Sequence, residues 1–419
     1  MLDEYEPKPV AELLPETEVM KVSLEKLLST AQESAPAVER AKAQLLQGKA
    51  RVEGTDVLTK YNPVVSGAVE RFPFGEFSYG EAKAGVSQKF TIGGEQVARL
   101  ESAVQHREVL KQRLERTRWA VHADVHRLYN LALVDLRQLQ LNYRLRAFFE
   151  ELLGVAETRL EAGEATKIDV QLAKVELARA KQEVVQARSA LISRLRTLEK
   201  RAGLEAEALP VPQGELPETR VDLEVDQIQK VARESYPLVE VFEALVEEAK
   251  SEYEYQRKKA WPDPGVGLFF KHKSPDAGPS DSGLVAQLSL PIPIFNANKL
   301  GRLVSAKQRT VAKTKLATLR EKLGPLIADA VQSVRAAARQ IDIYGQQLVP
   351  AFEQELELLR EGYEVGQFDI TDITVAQQRL LRGREQALGA MIDYFDAAAE
   401  LERLTGEEFW NSNETPSDK

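Results

Sequence analysis

The feature that most restricts this chain is a helix–turn–helix signature that occurs twice at a fixed separation. The stretch from Leu348 to Gly406 reads as a long helix that runs in, stops at Gly366, and restarts near Asp369 to run back out. Gly366 suits a left-handed C-terminal cap. Asp369 suits an N-cap, with Asp372 three residues on, a weaker form of the capping box. In the returning arm Ala376, Leu380, Gly383, Ala387, Ala390, Tyr394, Ala397, Leu401 and Leu404 follow alternating four- and three-residue steps. That is a heptad seam of mostly small residues, along which helices approach closely. The same signature stands earlier, as Arg159-Leu160-Glu161-Ala162-Gly163, then Thr166-Lys167-Ile168-Asp169, then the seam Ala173, Leu177, Ala180, Val184, Ala187, Leu191 and Leu198. Gly366 and Gly163, Asp372 and Asp169, Ala376 and Ala173, and Gly406 and Gly203 are each 203 positions apart (366 − 163, and likewise for the others). A constant offset through turn, cap, seam and terminal glycine reads as an internal duplication.

The duplication extends upstream. Ala31-Gln32-Glu33-Ser34-Ala35-Pro36 matches Ala232-Arg233-Glu234-Ser235-Tyr236-Pro237, and Asn62-Pro63 matches Asp263-Pro264, both 201 positions apart (237 − 36). Leu14-Pro15-Glu16-Thr17 recurs as Leu216-Pro217-Glu218-Thr219. Residues 1–21 are acidic and proline-bearing and are expected to be extended. A helix is expected from Ser23, and Pro36 fits the first turn of another that runs to about Leu58. Each such helix is followed by a pair of β-like segments, 62–72 with 79–92 and 265–273 with 283–295. They flank loops at Phe72-Pro73-Phe74-Gly75 and Ser274-Pro275-Asp276-Ala277-Gly278-Pro279. In the last strand Leu284, Ala286, Leu288, Leu290 and Ile292 alternate with Val285, Gln287 and Ser289. Segments of about ten residues, apolar on alternate positions and joined in hairpins, have the length of a membrane-spanning strand. A soluble hairpin packed on a helix has the same pattern.

A very long helix follows each hairpin. Glu95 to Leu153 holds neither Gly nor Pro, which at ~1.5 Å per residue is a rod of roughly 90 Å. The second copy, from about Gly301 toward Tyr363, is expected to bend at Gly324-Pro325, Gly345 and Pro350. The chain is therefore divided into a first repeat, 1–203 (strand hairpin 62–92, long helix 95–160, return helix 168–203), and a linker, 204–221, carrying Pro210, Pro212 and Pro217. A second repeat, 222–406, follows (strand hairpin 264–295, long helix 301–363, return helix 370–405), with a frayed tail at 407–419.

Composition narrows the function classes. The 419 residues carry a net charge of −9, which argues against a nucleic-acid partner. There is no cysteine, hence no disulfide, thiolate metal site or cysteine nucleophile. No apolar run approaches the ~20 residues of a transmembrane helix. Met1-Leu2-Asp3-Glu4-Tyr5 opens acidic, without the basic start and apolar core of a signal peptide. Transmembrane β-barrels also lack long apolar runs, and a mature exported chain has lost its signal. There is no phosphate loop, His–Cys cluster or nucleophile motif, so no enzyme activity and no cofactor are expected.

Strand pair, long helix, tip turn and returning helix, all duplicated, resemble the TolC family of outer-membrane efflux ducts over about residues 20–406. The tip sequences Leu160-Glu161-Ala162-Gly163 with Ile168-Asp169-Val170, and Gly362-Tyr363-Glu364-Val365-Gly366 with Ile370-Thr371-Asp372-Ile373, carry most of the resemblance. Ser289-Leu290-Pro291-Ile292-Pro293-Ile294-Phe295-Asn296 together with Leu348-Val349-Pro350 resembles the heavy-metal, CzcC-like branch. The resemblance implies a mainly α fold with a small β part. Four strands per protomer would join a trimeric twelve-stranded transmembrane barrel in outer-membrane lipid, above an α-barrel of coiled-coil hairpins in the periplasm. It implies the outer-membrane component of a tripartite, RND-type efflux system, with metal cations as one candidate cargo, working with a periplasmic adaptor and an inner-membrane pump. A type I secretion duct shares the fold, and a soluble coiled-coil scaffold is the alternative outside the membrane.

By the same resemblance the two tips form the periplasmic end. Gly163 and Gly366 would shape the turns, and Leu160, Ala162, Tyr363 and Val365 would face the adaptor. Phe368, Asp369, Asp372 and Asp169 would line the aperture, where a ring of Asp372 carboxylates would favour cations. Phe368 stands where a gate arginine often sits and Val375 where a second aspartate does, so an apolar constriction is expected rather than a salt-bridged lock. Asp369 and Asp372 also read as plain helix caps. His122 and His126 have a metal-capable spacing but lack a third ligand, unless Asp124 of another chain helps. They are expected to be solvated, and no metal site is assigned.

Overall fold

Helices in this chain begin and end where local chemistry stops them. In the computed structural model, which describes residues 10–14, 18–72, 79–204, 208–217, 219, 223–275 and 279–408, Ser23 holds an extended backbone ahead of α2 (Leu24–Ser34). Pro36 opens α3 (Pro36–Thr55). The same break recurs at Pro237, between α6 (Val225–Ser235) and α7 (Pro237–Lys258). The strand hairpins are β2 (Val64–Phe72) with β3 (Tyr79–Lys89), and β5 (Gly265–Pro275) with β6 (Asp281–Ser289). Helix α4 (Glu95–Glu161) is continuous over 67 residues, and α5 (Lys167–Ala202) returns from it. In the second half α8 (Lys299–Gln340), a π-helical stretch (Ile341–Leu348) and α9 (Val349–Glu364) take the place of the one long helix, and α10 (Ile370–Thr405) returns. No described helix is long and apolar enough to cross a membrane.

Several elements differ from the sequence reading. The N-terminal segment, expected to be extended, holds a short helix α1 (Val10–Leu13) and a strand β1 (Val19–Val22). The segment expected to link two repeats holds β4 (Leu209–Pro212), which pairs in parallel with β1. Leu209 and Gln213 donate to the carbonyls of Glu18 and Val22 at 2.9 and 3.1 Å, so Pro210 and Pro212 fall where the ladder needs no donor. The last strand stops at Ser289 instead of reaching Phe295, because Pro291 and Pro293 cannot continue a ladder. Gly324-Pro325 does not interrupt α8. The flanking Leu323 and Ile327 are core residues, and Gln229 of α6 donates to the Gly324 carbonyl at 3.2 Å. The irregularity falls at Gly345, within the π-helical stretch, and Pro350 follows directly on it, on a backbone that stays right-handed helical through Leu348 and Val349. The hairpin loops at 73–78 and 276–278 and the tail beyond 408 lie outside the described residues.

The chain forms two compact units, each drawing on both halves of the sequence. The strand-bearing unit is Lys42–Leu114 with Leu238–Leu319. Its sheet is antiparallel in the order β2-β3-β5-β6. Register places Val65, Gly67 and Val69 of β2 opposite Val86, Ala84 and Ala82 of β3. Across from these lie Leu268, Phe270 and His272 of β5, and then Ala286, Leu284 and Ser282 of β6. Side chains alternate across a strand, so these residues share one face, and it is exposed: Val69 is 85% and Leu288 76% accessible. The opposite face is mixed. Glu81 pairs with Lys271 and approaches Lys273 at 3.9 Å, and Lys83 lies 4.1 Å from the centre of the buried Phe269 ring. The outer strands, β2 and β6, leave their second edges unpaired among the described residues.

The hairpin unit comprises the residues up to Ala41, Glu115–Pro237 and those from Arg320 on. The seam residues Ala173, Leu177, Ala180, Val184, Leu191 and Leu198 are buried on α5, as are Ala376, Leu380, Gly383, Ala387, Ala390, Tyr394, Leu401 and Leu404 on α10. Ala187 and Ala397 are half-buried. Both returning helices end on a left-handed glycine pressed against the break between two upstream helices. Gly203 (φ +70°) sits against Ser34 and Ala35, and Gly406 (φ +70°) against Ser235 and Pro237.

Candidate functional site

The two helix tips are built alike. At the first, the Glu164 amide donates to the Arg159 carbonyl at 2.8 Å, and at the second the Gln367 amide donates to the Gly362 carbonyl at 2.8 Å. This is the six-to-one bond of a Schellman cap, and it needs a left-handed residue, supplied by Gly163 and Gly366, both at φ +77°. The next helix is then capped. The Thr166 amide donates to Asp169 Oδ2 at 2.7 Å, and the Asp169 amide donates to Thr166 Oγ1 at 3.3 Å. At the second tip the Asp369 amide donates to Asp372 Oδ2 at 3.1 Å. Asp169 and Asp372 therefore both serve as helix caps.

A shared core joins the two tips. Phe148, Phe149 and Leu152 of α4 pack with Val170 and Ala173 of α5, Leu356 and Tyr363 of α9, and Ile370 and Ile373 of α10. Arg159 ties the tips directly. Its Nη1 donates to the Tyr363 carbonyl, its guanidinium lies 4.6 Å from the centre of the Tyr363 ring, and its Nη2 donates to the Glu164 carbonyl at 3.4 Å. Arg360 of α9 makes a second tie, to Glu151 of α4 at 2.7 Å, while also bonding Glu357 at 2.7 Å. Neither arginine stands out in the sequence. Both lie on ordinary charged helix faces, and their partners are distant in the chain.

The tip residues named from the sequence divide by exposure. Ala162, Gly163, Val365, Gly366, Asp369 and Asp372 are exposed, and Leu160 and Asp169 are half-buried. Tyr363 is only 2% accessible, inside the core between the hairpins rather than on the outer surface. Burial, with a smaller contribution from Asp169, pushes its hydroxyl above the ordinary tyrosine value, and the nearby Arg159 opposes this. Phe368 is 44% accessible, yet its ring folds back onto Gly362, where an added Cβ would come within 2.3 Å of it. The absent side chain at Gly362 is what gives Phe368 its seat.

His122 and His126, expected to be solvated, are buried at 3% and 4% accessibility. The face of α4 that carries them also carries Val125 and Tyr129, and it is covered. His126 Nδ1 lies 2.9 Å from Oε1 of the buried Glu402, and His122 Nε2 lies 2.7 Å from Glu408. Burial alone would lower the His126 pKa, but the hydrogen bond and charge of Glu402, helped by Glu408, outweigh it and raise the value. Asp124 is occupied by Arg403 at 2.7 Å. Among the described residues no cluster of three His, Cys, Asp or Glu is arranged to hold a metal ion. His106 pairs with Glu248 at 2.6 Å, and His272 with Ser282 at 2.8 Å.

Comparison with known proteins agrees with this architecture. The family model described as outer membrane efflux protein matches residues 73–204 and 229–407. The cobalt-zinc-cadmium resistance protein CzcC of Cupriavidus metallidurans is 25% identical over 316 residues, covering 75% of this chain and 74% of CzcC. Among solved structures, CusC superposes with a TM-score of 0.73 at 15% identity, over 96% of this chain and 95% of its own. The outer membrane protein VceC of Vibrio cholerae superposes with a TM-score of 0.69 at 15% identity, over 92% of this chain and 96% of its own. These structures share the fold. With the family model spanning most of the sequence, the chain belongs to the outer membrane efflux protein family.

Proposed function

We propose that this chain is the outer-membrane channel of a tripartite efflux system, and that its cargo is metal cations. The observation that carries the reading is the sheet β2-β3-β5-β6, with one exposed, largely apolar face and two unpaired edges. Lipid tolerates no open sheet edge, and four strands do not close a barrel. Three copies, β6 of each beside β2 of the next, would give a closed twelve-stranded barrel with the apolar face outward. The matching tips and the matching seats of Gly203 and Gly406 support an internal duplication, with repeats at 1–203 and 222–406. The cargo reading rests on the relation to a protein named for cobalt, zinc and cadmium resistance.

In this reading the channel is passive, and energy comes from an inner-membrane pump through a periplasmic adaptor. The adaptor meets the exposed turns at Ala162, Gly163, Val365 and Gly366, with Leu160 beside them. Tyr363 acts from inside, as the seat on which Arg159 holds the two tips together. Phe368, Asp369, Asp372 and Asp169 form the aperture. Three Asp372 carboxylates about one axis favour cations over anions.

Two experiments test the proposal. Electron microscopy of protein purified from membranes in mild detergent should show a three-fold tube with a detergent belt at one end. A detergent-independent monomer or dimer would refute the channel. Deletion of the gene should sensitise its host to cobalt, zinc or cadmium, with restoration by the intact gene. Unchanged sensitivity to all three would refute the cargo.

A further inference from the structure

We propose that the end of the sheet where strands pass into helices is a collar that binds the headgroups of anionic phospholipids. This rests on the barrel reading above and names a lipid chemistry that the reading leaves open. All four strand–helix passages meet at this end. Lys89 at the end of β3 is in register with Gly265 at the start of β5, which is in register with Ser289 at the end of β6. The Phe90 amide donates to the Pro264 carbonyl at 2.9 Å, and the Trp261 ring rests on Gly93. Asn298, just before α8, donates to the Gln256 carbonyl of α7 at 2.8 Å.

The exposed apolar surface does not stop with the strands. Past Ser289, where Pro291 and Pro293 end the ladder, Leu290, Ile292 and Ile294 continue the even-numbered positions of the apolar face, and they remain exposed. Phe295 is fully exposed, and Phe90 and Trp261 are about half exposed. Pairing of β6 with a second copy uses the backbone edge of the strand and leaves this side-chain face uncovered. Apolar and aromatic residues just beyond spanning strands are the composition of a membrane–water interface.

The charge at this end supplies the headgroup argument. Lys89, Lys259, Lys299 and Arg302 are exposed, and none has a carboxylate partner among the described residues. Of the carboxylates near this end, Asp56 is exposed and has no cation partner among the described residues, and three others are engaged. Glu95 and Asp263 hold Lys60 at 2.7 and 3.1 Å, Tyr61 donates to Asp263 at 2.6 Å, and Glu254 holds Arg257 at 2.8 Å. Four cations without a carboxylate, beside an apolar belt, complement a phosphate-bearing interface. Each cation near an anionic membrane contributes roughly a five-fold preference.

The test uses the full chain reconstituted in lipid nanodiscs. Phe295→Trp, in a Trp119→Phe, Trp261→Phe and Trp410→Phe background, reports contact with lipids brominated near the headgroup. Retained lipid is measured with equal phosphatidylglycerol and phosphatidylcholine supplied. We expect strong quenching and a preference for phosphatidylglycerol. The preference should fall about ten-fold or more when Lys89, Lys259, Lys299 and Arg302 are all changed to Gln, with circular dichroism and oligomer size unchanged. Insertion without quenching at position 295 would mean that another copy covers the connector, which overturns the collar and leaves the barrel intact. Quenching without a phosphatidylglycerol preference, or with a preference that survives the neutralised variant, overturns the headgroup assignment. Failure to insert at all would overturn the barrel reading and the collar with it.

Discussion

Replacing Gly203 and Gly163 by Ala separates two reasons for a glycine at a helix end. Both residues are left-handed, at φ +70° and +77°. An L-residue pays about 1 kcal/mol or more for that conformation, partly offset by the reduced freedom of the unfolded Ala chain. At Gly163 nothing lies within 4 Å of an added Cβ, so Gly163→Ala should cost only about 1 kcal/mol. At Gly203 the Cβ would stand 2.2 Å from the Ser34 carbonyl oxygen and 2.9 Å from the Ala35 Cα. These are backbone atoms at the end of α2 and in the α2–α3 break, and they move only if that break moves. Overpacking of this kind adds about 1–3 kcal/mol, for a total near 3 kcal/mol. The assay is thermal unfolding in detergent by circular dichroism. All variants are compared at one scan rate, because large assemblies unfold under kinetic control. Gly203→Ala should lower the transition roughly three times as far as Gly163→Ala. Gly406→Ala, whose Cβ would lie 2.8 Å from the Ser235 carbonyl, should fall between them. Equal shifts for Gly163→Ala and Gly203→Ala would refute the steric argument.

Arg159→Met keeps the aliphatic stem but removes the charged bond to Tyr363 and the ring contact. It should loosen tip docking by about 2 kcal/mol, read as faster amide exchange across residues 356–364, and unchanged exchange there would remove Arg159 as a tie. In the aperture reading, Phe368→Ala should raise the resting conductance in planar bilayers, whereas an unchanged conductance would exclude Phe368 from the gate. The folded His126 pKa is raised above the ordinary 6.5, so its contribution is fully present below about pH 6.5 and is lost as pH rises through the folded value. Thermal stability should fall with rising pH over that window and lose this slope in His126→Gln; a slope that survives the substitution would assign the dependence to other groups. Leu284→Arg, mid-strand on the apolar face of β6 opposite Phe270, should cost about 2–4 kcal/mol if that face meets the bilayer core. Near-normal assembly and insertion yield would argue that the face is not lipid-exposed.

Features set by residues within one or two helical turns are legible in the sequence. Pro36 and Pro237 start helices, Gly163 and Gly366 turn them, Asp169 and Asp372 cap them, and the small-residue seams are buried. Each of these depends on backbone geometry that a few neighbouring side chains decide. The alternation of Leu284, Ala286 and Leu288 likewise reads directly as one face of a strand. The misplaced features are those where packing overrides a local signal. Pro325 passes through α8 because Leu323 and Ile327, two positions to either side, are core residues. The prolines of β4 join a ladder because β1 takes its donors from alternate positions such as Leu209 and Gln213, which skip Pro210 and Pro212.

The sequence alone determined the helix–tip–helix order, the paired strands and the family to which they point, because these follow from periodicity and turn chemistry carried within each segment. Only the tertiary structure decided which distant groups meet. Arg159 reaches Tyr363 across 204 positions, His126 reaches Glu402 across 276, and β3 rather than β2 is the strand that joins the two hairpins into one sheet. Such partners are chosen by burial. A buried histidine, arginine or strand edge must find a complementary group wherever the fold brings one, and nothing in the local spacing of the chain records where that is.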